Sequence, residues 1–354
     1  MSKMKFSGSG VWQRNLLIAL CSFLAVVFVV LALGTAYVHN MLNRLGRVDP
    51  EDEYTLSQSE VDNLLESELS TVDPSSTETH PSIEDVTIPT EAPYVPTDHG
   101  DHIINIVLVG QDRRPGQGRQ RSDTMILLTF NKSQNTITLT SFMRDMYVQI
   151  PGYKNHKMNA AYAWGGFKLL NNTLKQNFGV FVDGDVEVDF DGFTEIIDML
   201  GGVEITLTQA EAKYINEGHG MNLSAGTQFL DGYTALQYAR IRYIDSDYRR
   251  AERQRTVILS ILNRYKSKSV DEMLAIMNQM LPMVTTNMSN AEILKLAGEL
   301  LPMLATAKIN TLRIPVDGTF RGGTVEIRPG YIDWFQYNID FEANRTVLQS
   351  IFAK

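Results

Sequence analysis

The first 38 residues contain the feature that most restricts how this chain can fold. Residues 16–38 form an apolar run of 23 residues without a charge. As a helix this run would be about 34 Å long, enough to cross a bilayer core of about 30 Å. Lys3, Lys5 and Arg14 precede it, and no acid does. The positive-inside rule therefore predicts a cytoplasmic tail over residues 1–15, a transmembrane helix over 16–38 and an extracytoplasmic remainder.

A cleaved signal peptide is the alternative, because Gly34, Thr35 and Ala36 offer small residues at a possible cleavage site. The apolar run exceeds the roughly 7–15 residues usual for such a peptide, which favours an uncleaved anchor. Arg44 and Arg47 follow the run and weaken the charge asymmetry across it.

Residues 39–101 have the composition of a stalk. Residues 48–101 hold 15 of the 41 acids, whereas all 32 Lys and Arg residues lie elsewhere, so the net charge of -9 hides a basic body. The stalk is also rich in Ser, Thr and Pro. Such a segment buries too little apolar surface to offset its ordering entropy. We therefore expect an acidic, disordered spacer with room for a short helix over residues 60–69.

From residue 102 onwards, predicted strands alternate with predicted helices. Residues 103–110 are a β-branched apolar run that ends in glycine, which is typical of a buried strand. Further strands are predicted over residues 125–130, 136–142, 186–190, 203–207, 309–315 and 324–328. Helices are predicted over residues 155–178, 193–200, 234–239, 252–266, 270–282, 291–301 and 341–352. The alternation predicts one layered α/β domain over residues 102–354.

The loop after the first strand combines acids with arginines. Asp112 and Asp123 flank a basic stretch that includes Arg121, and Arg144-Asp145 follows another predicted strand in the same way. Loops at the carboxyl ends of strands bind ligands in open α/β sheets. Two aspartates beside arginines suit Mg²⁺ with phosphate, because Mg²⁺ takes one or two carboxylates plus phosphate oxygens and water. A solvated surface loop with local ion pairs is the alternative.

The segment 240–254 is the richest in charge, with five arginines and two aspartates. Arg240 and Arg242 are two residues apart and point to one side of an extended chain. Arg250, Arg253 and Gln254 share one face of a helix. Because the planar arginine fork contacts phosphate in a bidentate way, a convergent polyanion site is the favoured interpretation. The alternative is a network of internal ion pairs with the three acids of the segment, Asp245, Asp247 and Glu252.

Several other chemistries find no support in the sequence. Cys21 is the only cysteine, which excludes intrachain disulfides and cysteine-based metal sites. The sequence contains no P-loop, no zinc-ligand cluster and no GxSxG elbow. We do not expect a nucleic-acid partner, because the basic residues gather at loops rather than along a face and the anchor places the body outside the cell.

Two predicted helices, over residues 273–284 and 293–304, are rich in methionine and apolar on more than one face. They can form ordinary core, or they can form an adaptable groove for a greasy ligand, to which methionine is suited. In the second case Met273, Met277 and Met280 would line the groove.

Seven motifs occur in order between residues 102 and 264: Asn105–Gly110, Arg121–Thr124, Ser141–Asp145, His156–Gly166, Val188–Phe190 leading to Leu200–Val203, Leu230–Leu236 and Tyr238–Gln254. Together they resemble the LytR–CpsA–Psr family of bacterial cell-envelope proteins, whereas residues 265–354 match only loosely. The resemblance implies an α/β fold: a single extracytoplasmic, layered α-β-α domain with a mixed central sheet, behind one N-terminal transmembrane helix.

The resemblance also implies an activity. Such proteins are Mg²⁺-dependent phosphotransferases that move a glycopolymer from a polyprenyl-pyrophosphate carrier to peptidoglycan and form a phosphodiester link. Carried over by motif, Asp112 and Asp123 would hold the metal, and Asp247 would be the base. The pyrophosphate would be bound by Arg144, Arg240, Arg242, Arg250 and Gln254, with Arg121 and Arg253 matching less closely. Asp247, Arg144 and Arg240 are the expected catalytic residues.

Two alternatives to this activity stay open on the sequence. The first is a polyprenyl-pyrophosphate pyrophosphatase, in which water replaces the sugar. The second is a non-catalytic, membrane-anchored regulator or binding protein. One departure from the family pattern is Arg249, which stands where the family often has a small residue such as glycine. It adds a positive charge beside the expected site.

Overall fold

The computed structural model describes residues 34–49, 53–68, 70–71, 80–86, 100–111, 113 and 118–354. The predicted cytoplasmic tail and residues 16–33 of the predicted transmembrane helix lie outside these ranges. Residues 34–42 are helical (α1) and belong to a unit that ends at Arg44, whereas Leu45–Lys354 form a second unit. Among the helices of the described ranges, none has both the length and the apolar character needed to cross a membrane.

The second unit contains fourteen strands within the described ranges. They are β1 (Gly46–Arg47), β2 (Ser70–Thr71), β3 (Ile103–Gln111), β4 (Ser122–Asn131), β5 (Thr136–Phe142), β6 (Tyr147–Val148), β7 (His156–Lys157), β8 (Gly184–Asp189), β9 (Val203–Leu207), β10 (Gly226–Leu230), β11 (Val284–Thr286), β12 (Lys308–Ile314), β13 (Arg321–Arg328) and β14 (Tyr331–Tyr337).

The α-helices of this unit are α2 (Gln58–Glu68), α3 (Met158–Phe178), α4 (Phe190–Met199), α5 (Gln209–His219), α6 (Gly232–Arg240), α7 (Asp247–Lys266), α8 (Val270–Met280), α9 (Asn290–Thr306) and α10 (Phe341–Phe352). Helix α5 was not predicted, although Thr208 and Glu211 form a capping box at its start. Helix α7 begins five residues before its predicted start.

A seven-stranded mixed sheet forms the centre of the unit, in the order β1-β11-β8-β3-β4-β5-β12. Strand β3 runs parallel to β8 and antiparallel to β4, and β5 runs antiparallel to β4 and parallel to β12. The carboxyl ends of β3, β5 and β8 and the start of β4 therefore meet at one edge. The expected mixed central sheet is confirmed, although, among the described strands, β9 pairs only with β10, in a separate two-stranded sheet.

Helices cover both faces of this sheet, because the apolar residues of β3 alternate between them. Val107 and Val109 pack with α3 and α10 in one core cluster. Ile104 and Leu108 pack on the other face with side chains of α7 and α9. The result is the expected α-β-α layering.

The structure departs from the predicted disordered stalk over residues 45–49 and 53–68. Helix α2 packs on the body through Val61, which is fully buried in the same core cluster as α3, and Leu56 and Leu65 pack against that cluster. The acidic composition concealed an apolar stripe, because these residues are spaced by about one helical turn. The body therefore begins well before residue 102. Residues 72–79 and 87–99 lie outside the described residues, and the prediction of disorder there stays a prediction.

Candidate functional site

The edge of the sheet where β3, β5 and β8 end carries the predicted charged residues. Strands β3 and β4 pair regularly up to Gly110 and Thr124, and the next pair joins Gln111 to Ser122. Asp123 is thus the extra residue of a β-bulge. Because a bulge turns a side chain away from the regular pleat, it directs the Asp123 carboxylate to the open edge. That side chain is 39% exposed.

Arg144 links this bulge to the start of α7. Its Nη1 lies 2.6 Å from Asp123 Oδ1, and its Nε lies 3.2 Å from Asp145 Oδ2 and 3.9 Å from Asp247 Oδ2. The side chain is mostly buried, and these contacts with three carboxylates hold its guanidinium in place. Arg144 lies two residues beyond the end of β5, at the strand end where the motif predicted it.

Asp247 is the first residue of α7 and accepts contacts from arginines of three different segments. Its Oδ1 lies 3.3 Å from Arg242 Nε and 3.4 Å from Arg250 Nη1, in addition to the longer contact with Arg144. A carboxylate at this position is also favoured by the helix dipole. In this structure the Asp247 carboxylate therefore occupies the space between the guanidinium groups.

Ionisation in this cluster follows burial and neighbouring charge. Burial disfavours the Asp247 carboxylate, but Arg250, Arg144 and Arg242 outweigh that effect and lower its pKa. Asp145, which hydrogen-bonds to Asp247, has a raised pKa because it is buried, despite Arg144 and Lys157 nearby. Of the two neighbouring carboxyl groups, Asp247 is therefore the stronger acid.

Arg250 is the most enclosed of these cations. Burial and the charge of Arg144 lower its pKa to about 10, so it stays protonated at neutral pH. Its Nε is buried and has no hydrogen-bond partner in the part of the chain that the structure describes. A buried donor without an acceptor is costly, so the site is suited to an anion that completes it.

A cavity of about 650 Å³ opens at this cluster and extends between the sheet and helices α4, α6 and α7. Polar residues at its mouth are Asp123, Arg240, Arg242, Arg250 and Gln254. Its interior is apolar and is lined by residues such as Leu108, Val188, Phe193, Leu236, Val257 and Ile261. The Arg240 guanidinium lies 4.7 Å from the centre of the Phe190 ring, where the charged mouth meets the apolar interior.

The remaining predicted arginines lie elsewhere. Arg253 Nε binds Glu211 Oε1 at 2.7 Å, and its two terminal nitrogens bind Asp245 and the Ile241 carbonyl. The predicted internal ion-pair network thus exists around Arg253. Arg121 precedes β4 and is not among the cavity-lining residues. Arg249, the residue that departs from the family pattern, is exposed and pairs with Glu252 at 2.7 Å.

The methionine-rich segment contributes less to the cavity than its composition indicated. Met280 lines the cavity together with Val284, whereas Met277 is partly buried outside it. The side chain of Met273 is outside the described residues. Helix α9 does not line this cavity and instead contributes Leu300 and Met303 to the core under the sheet.

The expected metal site is only partly described. Asp112 lies outside the described residues, and no group of three or more His, Cys, Asp or Glu suited to a metal occurs within the described ranges. Asp123 nevertheless fits the chemistry, since Mg²⁺ bound to phosphate needs only one or two carboxylates. Its carboxylate is exposed and lines the mouth that holds the arginines.

Most of the interior cavity residues were not among the sequence candidates. They come from β3, β4 and β8 and from α4 and α6, where an apolar residue looks the same whether it lines core or cavity. The available signal was the apolar stripe of α7, Val257, Ile258, Ile261 and Leu262, which begins three residues after Gln254.

Comparison with known proteins agrees with this geometry. The sequence model of the LytR_cpsA_psr family matches residues 67–334. The polyisoprenyl-teichoic acid–peptidoglycan teichoic acid transferase TagT of Bacillus subtilis is 36% identical over 180 residues, which are 49% of this chain and 56% of that protein. The regulatory protein MsrR of Staphylococcus aureus (strain Mu50) is 37% identical over 164 residues, 46% of this chain and 49% of that protein.

The chain thus spans about half the length of these curated relatives. A solved structure described as TagT bound to LIIa-WTA superposes with a TM-score of 0.59 at 27% identity, covering 75% of this chain and 99% of that one.

Proposed function

The chain belongs to the LytR–CpsA–Psr family, and from that premise we propose that it is a phosphotransferase. It moves a glycopolymer, a teichoic acid or a capsular or secondary wall polysaccharide, from a polyprenyl-pyrophosphate carrier to peptidoglycan. One observation supports this above the others: a single cavity combines an apolar interior with a mouth formed by three arginines. A polyprenyl pyrophosphate has the same two parts, an apolar chain and a polyanionic head.

In the proposed reaction, a sugar hydroxyl of peptidoglycan attacks the phosphorus that carries the glycopolymer. The bridging oxygen leaves with the polyprenyl phosphate, and a phosphodiester joins the two polymers. Arg144, Arg240, Arg242 and Arg250 surround the mouth and would stabilise the charge that develops on the leaving phosphate. Gln254 would donate to a phosphate oxygen. Positioning and electrostatic stabilisation supply most of the catalysis in phosphoryl transfer.

Asp247 is the proposed base that takes the proton of the attacking hydroxyl. Without substrate its pKa is lowered by three arginines, which makes it a weak base. The donor pyrophosphate would compete for the same guanidinium groups and displace them from Asp247. The carboxylate would then gain basicity only when the donor is bound, which couples proton removal to occupancy of the site.

Asp123 and, by the sequence motif, Asp112 would hold Mg²⁺ at the mouth. When bound there, Mg²⁺ supplies positive charge to the phosphate oxygens. Arg144 would keep the Asp123 carboxylate oriented toward the mouth, since the two groups are 2.6 Å apart. The predicted anchor over residues 16–38 would keep the body at the outer surface of the membrane, where carrier and peptidoglycan are both within reach.

A regulatory role is the second candidate, because one relative is named a regulatory protein. A binding protein would need the cavity but not a base. The deciding experiment incubates the full chain with a polyprenyl-pyrophosphate-linked sugar, peptidoglycan fragments and Mg²⁺, and identifies products by mass spectrometry. We expect a phosphodiester-linked product and polyprenyl phosphate. Free sugar phosphate alone would indicate a pyrophosphatase, and an unchanged donor would indicate a binding protein.

A further inference from the structure

Glu53, in the segment expected to be a disordered stalk, is buried in the body. Its side chain is 3% exposed, and its carboxylate accepts hydrogen bonds from the backbone N–H groups of Phe167 and Lys168 at 2.9 and 3.1 Å. These groups begin the second half of α3, which is broken at Gly165 and Gly166. Glu53 therefore caps a helix end from far away in the sequence.

The glycine break makes room for this carboxylate. Gly166 has a φ of +60°, and a Cβ at this position would lie 1.4 Å from Glu53 Oε1. Any side chain here would therefore expel Glu53 as well as strain the backbone. The space left by the glycine break therefore accommodates one carboxylate, that of Glu53.

Glu53 also holds an arginine of the loop that leads to Asp123. Arg119 Nη1 lies 2.8 Å from Glu53 Oε1, and Nη2 donates to the Tyr54 carbonyl. The Arg119 guanidinium carbon lies 5.8 Å from the centre of the Tyr162 ring. Glu53 and Tyr54 thus hold the Arg119 side chain, four residues before the bulged Asp123.

A second set of buried contacts continues from this point to the bulge. Tyr162 donates its hydroxyl to Glu187, and Gln111 Nε2 donates to the same carboxylate. Gln111 Oε1 in turn accepts from the backbone N–H of Gln120 at 2.9 Å. Gln111 is also the residue paired with Ser122 across the bulge. Glu53 therefore holds the side chain of Arg119, and Gln111 holds the backbone of Gln120.

We propose that Glu53 is a positioning residue for the cavity mouth, which holds Arg119 and so fixes the bulge that presents Asp123. In this proposal Glu53 acts through the loop that it holds and not by contact with substrate or metal. The consequence for binding rests on the proposed function, because it assumes that Asp123 and its neighbours receive the pyrophosphate head.

Hydrogen–deuterium exchange of the full chain in detergent tests the positioning directly. Glu53→Gln keeps the shape but loses the charge, and Arg119→Gln breaks the same link while leaving the helix cap in place. Each should speed exchange of the peptide 118–125 by about tenfold, because the loop loses its buried anchor. Asp62→Asn is the matched control, since Asp62 lies on the same segment and forms an exposed pair with Lys154.

Binding of geranylgeranyl pyrophosphate, measured by calorimetry on the same variants, should weaken about fivefold to tenfold for Glu53→Gln and Arg119→Gln and stay unchanged for Asp62→Asn. Unchanged exchange of 118–125 in Arg119→Gln would overturn the proposal, as would an equal effect of Asp62→Asn. If Glu53→Gln opens the whole body, Arg119→Gln decides. A wild-type chain that does not bind the probe would refute the proposed function, while the exchange result still tests Glu53.

Discussion

Arg250 and Arg253 lie one turn apart on α7, come from the same charged segment and are both about 5% exposed, yet their surroundings differ. All three guanidinium nitrogens of Arg253 donate hydrogen bonds within the protein, to Glu211, Asp245 and the Ile241 carbonyl. Arg250 has one contact at 3.4 Å, to Asp247, and a buried Nε without a partner in the described structure. We refer below to the mouth, meaning Asp123, Arg240, Arg242, Arg250 and Gln254 of the cavity lining together with Arg144 and Asp247, which contact them. We refer to Glu211, Asp245 and Arg253 as the knot.

The difference shows that membership of a charged motif does not decide the role of an arginine. In the knot, Glu211 and Asp245 both pair with Arg253. Its charge is therefore balanced within the protein, and the contacts join α5 to the start of α7. In the mouth, the Asp247 carboxylate is shared among Arg144, Arg242 and Arg250, so positive charge remains for a ligand. We therefore expect mouth substitutions to lower transfer and knot substitutions to lower stability.

The largest effect should come from the two aspartates of this segment. Asp247→Asn removes the proposed base, and transfer per folded molecule should fall by about 10²–10⁴-fold. Asp245→Asn, two residues away in the knot, should leave transfer nearly unchanged and lower the melting temperature. Transfer of a polyprenyl-pyrophosphate-linked sugar and a melting curve measure both. Equal losses of transfer in the two variants would erase the distinction between mouth and knot.

The double variant Arg240→Lys, Arg242→Lys should reduce transfer by roughly 10²–10³-fold, because lysine keeps the charge but loses the bidentate fork. The melting temperature should move little, since both side chains are exposed. Arg249→Lys is the control, because Arg249 is exposed and pairs with the exposed Glu252. Full transfer by the double variant would rule out the phosphate clamp.

Arg253→Lys should act on stability instead. Lysine keeps the charge but loses hydrogen bonds that the guanidinium makes to Glu211, Asp245 and the Ile241 carbonyl, so the free energy of unfolding should fall by about 1–3 kcal/mol. Urea unfolding monitored by circular dichroism gives this number. Transfer at 20 °C, corrected for the folded fraction, should stay close to wild type. A large loss of transfer in a stably folded variant would move Arg253 into the mouth.

The cavity extends the comparison to the methionine-rich segment. Met280→Glu places a charge against the apolar interior and should weaken binding of geranylgeranyl pyrophosphate about tenfold. Met277→Glu, one turn earlier and outside the cavity lining, should bind the probe as wild type does. If both variants lose binding together with stability, this segment is ordinary core.

The smallest effect concerns the acid response of the knot. Burial disfavours the Glu211 carboxylate, but hydrogen bonds from Arg253 and Thr208 outweigh it and lower its pKa. A carboxyl group whose pKa is lower in the folded state than in the unfolded state stabilises the fold. This stabilisation is fully present above the unfolded-state pKa and is lost as the pH falls through the folded-state pKa. Glu211→Gln should therefore be less stable than wild type at pH 7, and the difference should shrink below about pH 4. A constant difference across this range would contradict the ion pair.

The charged edge of the sheet could be predicted because it depends on local order. Asp123, Arg144 and the 240–254 segment each follow or precede a strongly patterned strand or helix, and strand ends of one direction meet at one edge. The cavity could not be predicted, since Leu108 and Val188 look identical in core and in cavity lining. Glu53 was missed for a related reason: its partners, Phe167 N–H and Arg119, are set by the tertiary fold and not by its acidic neighbourhood.

The shape of the cavity has a kinetic consequence. In the proposed reaction the apolar interior would contact the lipid chain, which is the same in the donor and in the polyprenyl phosphate that leaves. Contacts of this kind bind substrate and product alike and do not accelerate the chemical step. The spent carrier should therefore remain bound after the glycopolymer has departed, compete with fresh donor, and make its escape into the bilayer the step that limits steady-state turnover.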